Sequence, residues 1–350
     1  MKKILIVGAN GFVGSYALEA LQGREFNLIA ACRNRSKLPF DFHGEIREGD
    51  IRDEHYIARL FQDVDILVNA VAWSSAWGHK RESKKYFLDP VVNLIKCAVK
   101  QGVKKIINVS STSAAAPDNS SDPMSPGIKR GRWPHLDNVI EIENLLRTYA
   151  DPGLEHAVQK GADPVITQKI DVINLRFGVF TGKRYGLGML PILLPRLKTH
   201  LVPWIRNGKT TVPIVAGEDI GLAIRLSIEN QTLSGYQSFN IVGPSRPTVR
   251  ELIDFIHSEF NYPTPHFSVP FSIAHPFAWL MEKLDPIVPW DPLVTRSIVH
   301  LLEETNADNT RATALLGYEA NIGWRTSVKN QISAMEQELI VPMKLTKPLI

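Results

Sequence analysis

Along the first half of the chain, apolar residues fall into short β-branched runs, separated by stretches whose apolar positions lie three and four apart. The runs at 3–7, 27–32, 45–48, 65–69, 105–110 and 171–176 predict strands. Several lack polar alternation, as expected of strands covered on both faces. Between them, residues 13–21, 54–61, 91–100 and 136–149 carry the spacing of helices packed along one face. Strand and helix in alternation predict an α/β fold with a doubly wound parallel sheet and right-handed crossovers.

After Arg176 the rhythm loosens into Pro- and Gly-rich loops, then partly returns at 214–215, 219–228 and 238–242. The expected division is a nucleotide-binding unit over 1–176, rejoined by 214–243, and a smaller substrate lobe formed mainly by 177–213 and 244–350. The lobe segments are expected over the carboxyl ends of the strands, where ligands bind in open α/β sheets. The stretch 187–204 is the most lipid-like in the chain, but Pro191, Pro195, Arg196, Lys198 and Pro203 interrupt it well short of the roughly 20 apolar residues of a span. It is expected to wall or cover an apolar pocket instead. Residues 151–169 read as a surface insertion, and no internal repeat is visible.

Composition narrows the function classes. The chain of 350 residues has 44% apolar and 22% charged content, with 40 Lys and Arg against 36 Asp and Glu. That balance excludes a disordered or fibrous protein and contains no run of like charges that calls for nucleic acid. Two cysteines, Cys32 and Cys97, without paired Cys/His spacing, argue against a disulfide framework or structural zinc, so a metal-free cytoplasmic protein without a secretory signal is expected.

The strongest local signal follows the first strand: Gly8-Ala9-Asn10-Gly11-Phe12-Val13-Gly14. Glycines at a strand-to-helix turn permit a tight bend and close backbone approach, while the helix N-terminus offers amides and a positive dipole to a pyrophosphate. The spacing is Gly-x-x-Gly-x-x-Gly rather than the standard Gly-x-Gly-x-x-Gly of a Rossmann-type site. The second strand ends in Cys32-Arg33-Asn34-Arg35-Ser36-Lys37, with cations where an acidic residue would otherwise hold a ribose hydroxyl. Arg33, Arg35 and Lys37 therefore favour NADP(H) over NAD(H), since a guanidinium takes a phosphate through paired, charge-assisted bonds; the alternative is a solvated basic turn.

Together with Gly49-Asp50-Ile51 and Asn69-Ala70-Val71-Ala72, these residues resemble the extended short-chain dehydrogenase/reductase family, and the likeness runs over nearly the whole chain. Residues 175–182, 239–243 with 248–252, and 308–318 resemble its later landmarks, and the run from Val269 through Trp290 to Leu316 is most similar to the 3β-hydroxysteroid and sterol dehydrogenase branch. The resemblance implies cofactor contacts at Asp50, Ile51, Ala70, Val71, Ala72, Ser110 and Phe177, and an apolar, polycyclic or isoprenoid substrate. It places Trp73, Trp77, Gly178 and Tyr185 at the substrate, with Trp204, Phe271 and Trp279 in neighbouring segments. For each aromatic the alternative is an ordinary core or surface position. A homodimer is the candidate assembly.

The family's proton relay needs a Tyr and a Lys four residues apart, and this chain has no Tyr-x-x-x-Lys. Anchoring on Glu143, Leu145 and Leu146 puts His135 in place of the Tyr and Val139 in place of the Lys. Ser111 and Thr112 remain as hydroxyls after the fifth strand, Thr112 being the expected substrate-facing one. His135 either supplies a proton, since imidazole titrates near neutrality, or caps and packs a helix start. Three readings stay open: an atypical NADP(H)-dependent oxidoreductase, a cyclase, dehydratase or isomerase on the same scaffold, and a cofactor-binding protein without catalysis.

Overall fold

Eleven strands organise the chain in the computed structural model, which describes residues 1–39, 41–73, 79–115, 122–129, 131, 133–151, 170–284, 287, 294–303 and 305–337. They are β1 (Lys2–Val7), β2 (Phe26–Cys32), β3 (Glu45–Glu48), β4 (Ile66–Asn69), β5 (Lys105–Ser111), β6 (Asp171–Phe177), β7 (Val179–Thr181), β8 (Trp204–Ile205), β9 (Ile214–Ala216), β10 (Tyr236–Ile241) and β11 (Ser268–Val269). Seven of them form one sheet in the order β10-β6-β5-β4-β1-β2-β3, every neighbouring pair parallel. This is a Rossmann-like α/β fold, and the order reverses between β1 and β4, the crevice where such sheets bind ligands. Two short parallel pairs, β7 with β9 and β8 with β11, lie outside it.

The helices are α1 (Phe12–Leu21), α2 (Glu54–Leu60), α3 (Lys80–Ser83), α4 (Asp89–Lys100), α5 (Pro134–Ala150), α6 (Met189–Leu197), α7 (Gly217–Glu229), α8 (Val249–Phe260), α9 (Phe271–Leu284), α10 (Arg296–Leu301), α11 (Thr310–Leu316) and α12 (Trp324–Glu336). Strand side chains alternate between faces. Leu5, Leu67 and Ile106 therefore meet α2, α4 and α5 on one side, while Ile4, Ile6, Val68 and Ile107 meet α1, α7 and α11 on the other. A π-helical turn at 84–88 joins α3 to α4 and sets Phe87 against α5.

The face under α4 and α5 is not wholly apolar. Asn69, Asn108, Asn174 and Ser238 stand opposite one another on β4, β5, β6 and β10. Asn69 donates to the Asn108 carbonyl (2.8 Å), Asn108 to that of Asn174 (2.7 Å), and Asn174 to the Ser238 hydroxyl (3.1 Å), all four being buried. One level further along, Arg176 and Glu143 form a fully buried ion pair, with Arg176 Nε 3.0 Å from Glu143 Oε1 and Ser110 donating to the same carboxylate. Burial works against the Arg176 charge, yet Glu143 outweighs it and keeps the guanidinium protonated.

The stretch 187–204 does not form an apolar cover. It folds as α6, whose Leu190 and Leu194 pack with Leu252, Ile256, Trp324 and Val328 of α8 and α12, while Leu197 and Trp204 join Ile253. Most of its apolar residues are spent on cores of this part of the chain, which is why the sequence looks lipid-like, while Leu201 stays 58% exposed. Helix α8 is fixed at its start by a capping box in which Thr248 and Glu251 bond each other's backbone amides.

Candidate active site

The glycine turn sits at the carboxyl end of β1. Gly8 adopts φ +83°, and a Cβ there would lie 2.6 Å from the Ala70 carbonyl oxygen; at Gly14 one would lie 2.2 Å from the Gly8 oxygen. Any larger residue at either place forces β1, β4 and α1 apart. Gly11 has no such crowding and caps α1. The Ser15 amide donates to the Gly11 carbonyl at 2.9 Å, leaving the amides of Phe12, Val13 and Gly14 at the free helix end. This cradle fits a pyrophosphate, and its partly negative ligand would meet the positive end of the helix dipole.

Arg33, Arg35 and Lys37 are exposed, and none joins an ion pair among the described residues. The Asn10 side chain donates to the Asn34 carbonyl at 3.2 Å, tying the glycine turn to this basic loop. Lys37 shares a cavity of about 430 Å³ with Asn10, Gly11, Phe12 and Arg184. Arg184 had no place in the sequence expectations. It arrives on the loop after β7, over the Tyr16 ring, and pairs with Glu19 at 2.6 Å. Its Gly-Lys-Arg context after a strand was the available signal.

Asp50 borders the same end of the sheet, and its hydrogen bonds from Arg52 hold its carboxyl below the usual carboxylate range. Ile51 is half-buried, Ala70 is buried, Val71 is half-buried and Ala72 is exposed. Two expected contacts have other duties. Ser110 points under α5 to Glu143, and Phe177 is 1% exposed, packed against Phe180 on the α1 side. Strand alternation decides both: Ser110 and Ser111 face opposite ways, as do Arg176 and Phe177.

Thr112 is 2% exposed, and its hydroxyl makes no hydrogen bond among the described residues. Ser111 accepts from the Ser113 amide at 3.2 Å, shaping the turn that contains Thr112. His135 lies in the first turn of α5, not at its cap, which is Trp133. Its ring packs on Phe87 (4.8 Å between centroids) and near Trp133 (6.0 Å), Nδ1 has no hydrogen-bond partner among the described residues, and burial pushes its pKa down to about 4. No hydrogen bond joins His135 to Ser111 or Thr112 among the described residues. Val139, in the place of the family's Lys, is core.

Trp73 is half-buried beside Tyr86 (6.3 Å), and Trp77 lies outside the described residues, as does 152–169 of the expected insertion. Tyr185 stacks on Phe12 (4.6 Å) and Phe180 (5.7 Å), where burial raises its pKa, so it covers the glycine turn. Gly178 is obligatory, since a Cβ would lie 1.8 Å from the Pro213 oxygen. Trp204 is buried, Phe271 is half-buried, and Trp279 is 48% exposed on α9.

The sequence profile of the NAD dependent epimerase/dehydratase family matches residues 4–241, from β1 to the end of β10. The chain belongs to this family. Over 95% of the chain and 99% of the other, the fold matches a UDP-glucose 4-epimerase of Thermus thermophilus solved with NAD, at 16% identity and TM-score 0.67. An epimerase of Methanothermobacter thermautotrophicus matches over 97% and 93% of the two chains, at 16% identity and TM-score 0.71. A curated relative in Methanocaldococcus jannaschii, described as an uncharacterized membrane protein, is 22% identical over 187 residues, 47% of this chain; the match spans just over half, 56%, of that protein. Among the described residues of this chain, no helix is long and apolar enough to cross a membrane.

Proposed function

We propose that the protein is an NADP(H)-dependent oxidoreductase acting on the carbonyl or alcohol group of an apolar small molecule. Family membership supports a nicotinamide cofactor. The observation that carries the finer reading is the exposed set Arg33, Arg35 and Lys37 beside the glycine turn, none of them in an ion pair among the described residues. Glu48 accepts from the Arg35 amide and Asp50 lies within electrostatic reach of Arg33, but neither carboxylate engages a cation of this set in an ion pair, so all three are available to a dianionic phosphate.

When bound, the cofactor supplies or accepts the hydride. The amides of Phe12 to Gly14 hold its pyrophosphate, and Arg33, Arg35 and Lys37 hold the 2′-phosphate. Thr112 orients the substrate oxygen with its uncommitted hydroxyl. His135, neutral at pH 7 with a pKa near 4, serves as a hydrogen-bonding side chain and a poor base, so the proton comes through water or the hydroxyls of Ser111 and Thr112. Half-buried Trp73, 6.3 Å from Tyr86, is the aromatic side chain after β4 that supports an apolar substrate.

Fluorescence titration should give NADPH an affinity at least about tenfold above NADH, or about 1.4 kcal/mol, and R33A with K37A should abolish the difference. Equal affinities in the wild type would overturn the NADP(H) assignment. The second reading, nucleotide-sugar epimerisation, draws on the family and on the epimerase fold of the solved neighbours. Nicotinamide absorbance over a panel of hydrophobic ketones and UDP-sugars separates the two: turnover or tight binding of UDP-sugars alone would replace the first reading with the second.

A further inference from the structure

We propose that His300 and Glu303 form a positioning clamp that holds the turn after β5, and with it Thr112, against the C-terminal part of the chain. His300, on α10, is 6% exposed. Its Nε2 lies 3.2 Å from the Ser113 carbonyl oxygen, a contact across 187 residues of sequence, and its Nδ1 lies 3.0 Å from Glu303 Oε2. The Ser113 carbonyl can only accept, so Nε2 donates to it, and the Glu303 carboxylate lies at ion-pair distance from the other ring nitrogen without completing a hydrogen bond to it.

The carbonyl that His300 grips belongs to the residue after Thr112. Ser113 is itself 7% exposed, and its amide is held by Ser111 Oγ at 3.2 Å, while the Ala115 amide donates to the Thr112 carbonyl at 3.3 Å. The turn is therefore fixed from inside by its own bonds and from outside by the His300 side chain. The Trp133 ring, 6.4 Å from His300 and 6.0 Å from His135, fills the space between the two histidines. Helix α10 packs through Val299 on Ala274, Ala278 and Ile205 rather than on the main sheet. A shift of that group of elements thus reaches the turn containing Thr112 through the His300 hydrogen bond.

The consequence for turnover rests on the reading of Thr112 as the hydroxyl that faces the substrate oxygen, but the clamp can be measured without any substrate. The experiment is amide hydrogen exchange by mass spectrometry on the cofactor-free full-length protein, read on the peptide containing Ser113 and Ala115. H300L should speed exchange there by about tenfold, and H300Q, which keeps an amide donor, should stay within about threefold of wild type. NADPH affinity should be unchanged in both. With whichever compound the wild type turns over, H300L should lower kcat while KM for NADPH holds, and H300Q should restore most of it. Equal exchange in H300L and wild type would overturn the clamp, and so would H300Q exchanging as fast as H300L, which would leave only volume filling. If H300L fails to fold, E303Q decides: it should loosen the same peptide, and unchanged exchange refutes the proposal. Absence of any hydride transfer in the wild type would sink the oxidoreductase reading alone.

Discussion

His135 couples its ionisation to folding. An exposed imidazole titrates near 6.5, and burial against Phe87 and Trp133 brings this one down to about 4, so the unfolded chain binds the extra proton more readily than the folded one. The histidine's contribution to stability is therefore complete above about pH 6.5 and drains away as pH falls towards 4. The loss by pH 4.5 amounts to about 2 to 3 kcal/mol, and to less in so far as water reaches the ring. Urea denaturation of wild type and His135→Leu at pH 7.5 and 4.5 should show the wild type losing more on acidification by that margin. Parallel losses in the two proteins would mean that the ring is not held neutral. The same variant informs catalysis: a pKa near 4 makes a weak general base, so hydride transfer in His135→Gln should fall far less than the about 10² to 10⁴ typical of a lost acid–base group.

Helix α5 is seated on the sheet by its apolar face and by one buried charge. Glu143 reaches down from it to Arg176 on β6 and receives the hydroxyl of Ser110 on β5, with no exposure of either charged side chain. Glu143→Gln keeps the shape and removes the counter-charge, which should cost about 3 to 5 kcal/mol because a guanidinium is then buried without one. Replacing both partners, as Glu143→Leu with Arg176→Met, should recover most of that and be close to neutral. Urea midpoints of the single and double variants test it; a double variant as weak as the single would show that the hydrogen bonds, not the charge, carry the helix. The helix itself was legible in the sequence from its apolar spacing, and so were the five strands before it and β6 after it, because most of these strands are covered on both faces and nearly all apolar. The polar exceptions on those strands were not legible. Asn108 or Arg176 in an apolar run has no visible partner until the neighbouring strand is laid beside it. Ser110 and Phe177 were assigned to the cofactor by position along the chain, and the two-residue alternation of a strand sent both side chains elsewhere. His300 left no trace in local sequence, since its partner Ser113 lies 187 residues away. The glycine turn and its basic neighbour were readable because that chemistry is local.

At the scale of the whole molecule, binding at one end of the sheet should stabilise all of it. A ligand present at about 100 times its dissociation constant adds about 2.7 kcal/mol, which for a chain of 350 residues corresponds to a rise of about 3 to 4 °C in Tm. Scanning calorimetry with NADPH and NADH at equal concentration should rank the rises in that order, and Gly8→Ala, which strains the turn, should remove both. The row of amides through Asn69, Asn108 and Asn174, ending on the Ser238 hydroxyl, bears on how the sheet is assembled in the first place. Hydrophobic strands in a parallel sheet tolerate sliding past one another, because one β-branched residue packs much like the next. Here a slip of any of these four strands strands an amide among aliphatic side chains, at about 1 to 3 kcal/mol for each polar group left without a partner. Strand β10 enters the sheet some sixty residues after β6, when many wrong alignments are open to it, and only the alignment that brings Ser238 level with Asn174 completes the row. The polar residues that look least suited to the core thus act as its alignment marks during folding.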